Sequence, residues 1–246
     1  MTVKQIADVH FPTRWATFRL LGFEARRMNS ITGNEFVETA LALVLGDLSS
    51  SPPIVRIHSQ CTTGEVFHSL RCDCHDQLHL ALKMIAAHGA GVLIYEHQEG
   101  RGIGLMEKLC AYELQDHGLD TVDANLHLGH TVDARDYALP IQVLRSLKIR
   151  SLRLISNNPE KVRTVLASGI AIVERISADV PHSVHSLRYL AAKREKLGHL
   201  SGPTDDSFVR DKQPSHGALL PEADEVGIGR GPESSAVLGG GTWQMS

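Results

Sequence analysis

Long apolar runs are missing from this chain of 246 residues. None approaches the roughly 18 residues of a membrane-spanning helix, so no membrane partner is expected. Met1 to His10 alternate polar and apolar side chains and hold no hydrophobic core of a secretory signal. Charge of one sign is also lacking. A net charge of −3 gives no basic field for nucleic acid, and phosphate binding has to come from a local group of arginines and lysines. Cysteine is scarce: four residues in a chain of this length are no disulfide framework, and a reducing cytoplasm is the expected setting. The dinucleotide pattern G-x-G-x-x-G and the phosphate-loop ending G-K-S/T are both absent, and no internal repeat occurs.

What is there reads as an α/β fold of mixed α+β character. The N-terminal third is strand-rich, with apolar runs at Phe18–Phe23, Ala40–Gly46 and Ile54–His58. After them the period changes. Leu78, Leu80, Leu82, Met84 and Ile85 predict a helix from about Asp76 to His88, ended by Gly89. Val92–Tyr95 is a buried strand and Leu105–His117 an amphipathic helix. Pro140 opens a helix to about Leu147, since proline is tolerated only in a helix's first turn. Leu152–Ile155, Pro159–Ala167 and Ile170–Val173 continue as strand, helix and strand. From Ser201 to Ser246 glycine and proline replace regular apolar spacing, which predicts a disordered tail after a single folded unit of residues 1–200.

Three of the four cysteines, Cys61, Cys72 and Cys74, form C-x10-C-x-C. Three soft ligands with no fourth cysteine close by suit an open zinc site, in which one position is kept for water or substrate. Arg71 is expected to help hold these thiols deprotonated. His58, His68, His75 and His79 are rival ligands, and a set of buried or redox cysteines is the alternative reading. Glu99-Gly100-Arg101-Gly102-Ile103-Gly104 leaves a strand and opens a helix, where backbone N–H groups can approach an anion. Arg101 could reach a phosphate, and Glu99 a base N–H or a metal. The polar stretch Asp123–Tyr137 is too long for a plain connector, and Asp133 and Arg135 share a face in extended chain. Ser156-Asn157-Asn158-Pro159-Glu160-Lys161 gathers a hydroxyl, amides and a lysine at a helix start, although a plain cap explains Asn-Pro equally well.

In order along the chain, these blocks resemble the GTP cyclohydrolase II family. The likeness runs from Pro12-Thr13-Arg14 to Lys196-Leu197-Gly198-His199. It takes in Gly64-Glu65-Val66-Phe67, Ser69-Leu70-Arg71-Cys72-Asp73-Cys74, Gln98-Glu99-Gly100-Arg101, Ala111-Tyr112, Asp133-Ala134-Arg135-Asp136-Tyr137 and Asn157-Asn158-Pro159. The resemblance implies one catalytic domain over residues 1–200, one zinc ion per subunit on Cys61, Cys72 and Cys74, Mg2+ with a triphosphate, GTP as substrate and a homodimer. It implies Arg135 as the nucleophile at the α-phosphate, Asp133 as its proton acceptor, and Tyr112 in the ring-opening stage. Arg56, Ile57, His58, Ser59, Gln60, Gln77, Glu99, Gly100, Arg101, Ser156 and Lys161 fall on the family's GTP-contacting positions. The implied reaction opens guanine at C8 with loss of formate and pyrophosphate, at the start of riboflavin synthesis. Gln60 stands where the family usually has glutamate, and Ser156 where it usually has threonine. A paralogue for a specialised pathway, one that stops at a formylated intermediate, and a non-catalytic nucleotide sensor remain as alternatives.

Overall fold

The computed structural model describes residues 2–28, 33–131 and 133–181. The expected tail at 201–246 and the end of the expected folded unit lie outside the described residues. The described residues form seven strands and six α-helices: β1 Val3–Pro12, β2 Thr17–Met28, β3 Glu35–Leu45, β4 Ile54–Ser59, α1 Thr62–Glu65, α2 Cys74–His88, β5 Gly91–Glu96, α3 Leu105–Asp116, α4 Thr121–His127, α5 Ala138–Ser146, β6 Ser151–Ile155, α6 Pro159–Ala167 and β7 Ala171–Ile176. A short 3-10 turn spans Glu99–Gly102. No described helix is long and apolar enough to cross a membrane.

All seven strands join one mixed sheet in the order β1-β2-β3-β5-β4-β6-β7. β1, β2, β3 and β5 pair antiparallel, whereas β5, β4, β6 and β7 run parallel. The two halves differ in burial for a simple reason. Antiparallel strands can leave one face to water, and β2 alternates accordingly; parallel strands carry helices on both faces and read as continuous apolar runs. In β4 the first five residues are all buried.

Alternation along β4 and β5 sends side chains into two cores. Val55, Ile57, Val92 and Ile94 pack with Leu139, Val143 and Leu144 of α5 and with Val162 and Val165 of α6. Ile54 and Leu93 point the other way, onto Ala81, Leu82 and Ile85 of α2. Each fully buried aliphatic side chain contributes about 1.5–3 kcal/mol. The helical layers therefore clamp the parallel half of the sheet, and the segments leaving β4, β5 and β6 emerge at their carboxyl ends. That edge is where open parallel sheets hold ligands.

Three elements add to or depart from the sequence reading. The alternating N-terminus is the edge strand β1, held by its ladder to β2 although almost every side chain on it is exposed. Residues 62–65 form the single helical turn α1. The polar stretch beginning at Asp123 is not one loop: its first part belongs to α4, capped by Asp120, whose carboxylate accepts from Val122 N at 2.8 Å and Asp123 N at 3.0 Å. Burial of Val122, Ala124 and Asn125 completes that helix, an effect of tertiary packing that local polarity conceals.

Candidate active site

Cys61 leaves the end of β4, Cys74 begins α2, and Cys72 lies just before it. Their ligand atoms all lie within 4.8 Å of one another, with Cys61 Sγ and Cys72 Sγ 3.6 Å apart. Glu65, one turn further along in α1, fixes this corner. Its Oε1 accepts from Cys61 N and from His58 Nε2, both at 2.9 Å, and its Oε2 accepts from the Tyr95 hydroxyl at 2.6 Å. Gly64 makes the space: a Cβ there would stand 2.9 Å from Cys72 Sγ and 3.2 Å from Cys61 Sγ.

The thiols divide one negative charge unevenly. Hydrogen bonds from the other two thiols, then the Lys108 ammonium, hold Cys61 far below the usual thiol range. That thiolate pushes Cys72 up to about 11 and raises Cys74 well above its ordinary value. Three close sulfurs cannot all ionise unless a cation joins them, and a soft three-sulfur set facing a cleft fits zinc with one position left open. Among the described residues this is the one group of three or more potential ligands that converges. The rival histidines stack on one another instead, His68 to His75 at 4.3 Å and His75 to His79 at 3.9 Å between ring centroids. His58 is buried against Glu65, and burial pushes it down to about 4, so it stays neutral.

The cysteines open onto a cleft of about 1000 Å³ counted out to its mouth, open solvent included. Arg56, His58, Ser59, Gln60, Gln77, Glu99, Gly100, Arg101, Tyr112, Arg135, Ser156 and Lys161 all line it. Two expected residues do not. Ile57 is 1% exposed and its side chain belongs to the core. Its carbonyl accepts from Lys161 Nζ at 2.8 Å. Asp133 stands behind Arg135 and grips it, accepting from Nε at 2.8 Å and from Nη2 at 2.5 Å. Burial would raise the Asp133 pKa, but the hydrogen bonds and charge of Arg135 outweigh it and hold the carboxyl below its ordinary value.

The Asp133–Asp136 segment is docked by the turn after β5. Ala134 N donates to Arg101 O at 3.0 Å. Gln98 clamps the Asp136 backbone from both sides, its Nε2 donating to the carbonyl at 2.6 Å and its Oε1 accepting from the amide at 2.8 Å. Arg27 of β2 forms an ion pair with Asp136. Gly102 has φ +91°, and a Cβ there would lie 3.0 Å from both the carbon and the oxygen of the Ala134 carbonyl.

Deeper in the cleft, Arg56 donates to Ile155 O at 3.1 Å and to Gln77 Oε1 at 2.7 Å, and its Nε is buried without a partner among the described residues. Lys161 is 5% exposed; burial, then the charge of Arg135, lowers its pKa well below the usual lysine range. Ser156 Oγ accepts from Asn158 N at 3.1 Å. Gln60 spends its amide locally, donating to Thr62 Oγ1 at 3.2 Å and bonding His97 Nδ1 at 3.1 Å.

Arg71 does not serve the thiols. It pairs with Asp116 and lies over the Tyr112 ring at 4.8 Å, while the cation that reaches Cys61 is Lys108. Lys108 has no part in the sequence reading, and Glu65 and Gln98 stand in it only within matched blocks, without a role. Lys108 had a signal, its i, i+4 spacing from Tyr112 on one helix. For Glu65 and Gln98 nothing local announces a partner.

The family model for GTP cyclohydrolase II matches residues 4–177. The chain is 46% identical over 196 residues to a GTP cyclohydrolase-2 of Neisseria meningitidis, covering 79% of this chain and 95% of that protein. It is also 46% identical over 203 residues to a GTP cyclohydrolase-2 of Pseudomonas fluorescens, covering 82% and 95%. Against the riboflavin biosynthesis protein RibBA of Bacillus subtilis the identity is again 46%, over 200 residues, covering 80% of this chain and 48% of that protein. By a family match across most of its length and this identity to near-complete relatives, the chain belongs to the GTP cyclohydrolase II family.

Proposed function

We propose that the protein hydrolyses GTP, opening the guanine imidazole ring at C8 and releasing formate and pyrophosphate. The product is 2,5-diamino-6-(5-phosphoribosylamino)pyrimidin-4(3H)-one, the first intermediate on the way to riboflavin. One observation carries the reading: the three-cysteine group and Arg135, held from behind by Asp133, meet at one cleft, at the carboxyl ends of parallel strands. Cys61, Cys72 and Cys74 would hold zinc, which supplies Lewis acidity and activates water near neutral pH. Mg2+ accompanies the triphosphate as part of the substrate.

The remaining chemistry falls to side chains. Glu99, on the wall nearest the cysteines, has lone pairs for purine N–H groups beyond those its present donors occupy. Arg56 and Lys161 line the cleft as buried cations for the phosphates, and an arriving anion favours the protonated form of the buried Lys161 amine. Arg135 is the nucleophile at the α-phosphate: a guanidinium nitrogen bonds to phosphorus, the bond to the bridging oxygen breaks, and pyrophosphate leaves. The proton given up by that nitrogen passes to Asp133, already hydrogen-bonded to it. Tyr112, flanked by Arg71 and Lys108, serves the ring-opening stage. The protein acts as a homodimer in this reading, which sedimentation of the purified chain checks.

Incubation of zinc-loaded protein with GTP and Mg2+ should yield formate, pyrophosphate and the diaminopyrimidine together. Pyrophosphate and GMP without formate would refute the complete reaction. In Arg135→Ala pyrophosphate release should vanish, and its persistence would remove the nucleophile from the scheme.

A further inference from the structure

Lys108 lies in the first turn of α3, on the wall of the cleft, with its side chain 12% exposed. An ammonium has three N–H donors. Three acceptors meet this one: Glu99 Oε1 at 2.7 Å, Thr63 Oγ1 at 2.9 Å and Cys61 Sγ at 3.1 Å. Every donor is engaged, so none remains for a phosphate, although the group borders the cleft. Its work is on its neighbours. Glu99, whose side chain is 8% exposed, is fixed further by Thr62 N at 2.6 Å and Gly100 N at 3.2 Å. The lysine stem packs on the same turn, where a Cβ on Gly100 would come within 3.1 Å of Lys108 Cβ.

We propose that Lys108 is a positioning residue that ties the Glu99 carboxylate to the Cys61 sulfur. The edge of the cleft that meets the purine and the edge that holds the metal are thereby kept at one spacing. The purine half of this statement rests on the function proposed above; the sulfur half does not. Lysine suits the role because its ammonium is a compact charge whose donors point to three separate acceptors, which the planar fork of arginine cannot reproduce. A residue that hydrogen-bonds a ligand sets that ligand's orientation and its hold on the metal. A lysine that only neutralised a buried carboxylate would leave metal retention unchanged.

The test uses full-length zinc-loaded protein and the Lys108→Met variant, which keeps the stem and loses the donors. Zinc transfer to a chromophoric chelator, without nucleotide, should become easier by about 10- to 100-fold, the usual effect of losing a group behind a metal ligand. Binding of a non-hydrolysable GTP analogue should weaken, and Glu99→Gln should weaken it to a similar degree. The double variant should lose little beyond either single change, because the two residues act as one unit. Unchanged zinc transfer, or losses that add in full, would overturn the proposal. If Lys108→Met does not fold, Thr63→Val removes one of the three acceptors at constant shape, and zinc transfer at the wild-type level in that variant overturns it as well. Wild-type protein that fails to bind the analogue defeats the purine reading, while the zinc arm still decides on Lys108.

Discussion

Gly102→Ala tests whether the turn after β5 sets the position of Arg135. Two penalties follow from the geometry. An alanine at φ +91° costs about 1–3 kcal/mol in backbone strain. With roughly 2–4 °C of melting temperature per kcal/mol for a protein of this size, the midpoint should fall by about 2–12 °C. The second penalty is positional. The new Cβ would sit 3.0 Å from two backbone atoms of Ala134 and 3.2 Å from Arg135 N, and backbone cannot rotate aside. The segment carrying Arg135 must therefore shift by a few tenths of an ångström or more. Since a misplacement of about 1 Å costs on the order of 100-fold in rate, a loss of about 10- to 100-fold in kcat is expected. Gly104→Ala is the control: it has φ +93° and no atom of the described residues within 4 Å of the added Cβ, so it takes a similar strain without pushing on Arg135. Both variants are to be assayed for GTP turnover at a temperature where each is folded by circular dichroism. Equal turnover in the two would refute the claim that Gly102 is glycine for the sake of Arg135.

Two further outcomes follow from the same site. His58 is held near 4 by burial against an unfolded value of about 6.5, so the unfolded chain takes up its proton first as the solution is acidified. Its contribution is complete above about pH 6.5 and is lost toward pH 4, to a limit of about 3 kcal/mol. Urea unfolding of metal-free protein across that range should show a steeper loss for wild type than for His58→Gln; identical slopes would mean that His58 is not a buried neutral imidazole. Cys72→Ser should reduce bound zinc from one per chain to almost none and abolish ring opening, and full turnover in that variant would end the metal assignment.

Much of the site was legible because its residues follow apolar runs. Cys61 comes after β4, Glu99 to Arg101 after β5, and Ser156 to Lys161 after β6, and each block carries residue types that a plain turn does not need. The parallel half of the sheet was legible in the same way, since strands buried on both faces are short continuous runs of Val, Ile and Leu. β1 was less so, because an edge strand with both faces exposed is marked by its ladder rather than by apolar side chains. α4 was hidden by its polar surface. Arg71 is adjacent to Cys72 in the chain, which suggests a role at the thiols, yet it is directed to Asp116 and Tyr112.

By itself, the sequence determined which chemical groups are available: three thiols, an Asp-x-Arg pair, a glycine-rich turn and a capped helix start. Only the tertiary structure decided which of them meet. The order β3-β5-β4-β6 sets the ends of β4 and β5 side by side, so Lys108 reaches a sulfur 47 residues earlier and Gln98 clamps a backbone 38 residues later. Periodicity reports which face of its own element a residue occupies. It carries no record of which strand lies next to which, and that adjacency gives Cys61 its cation and Arg135 its place.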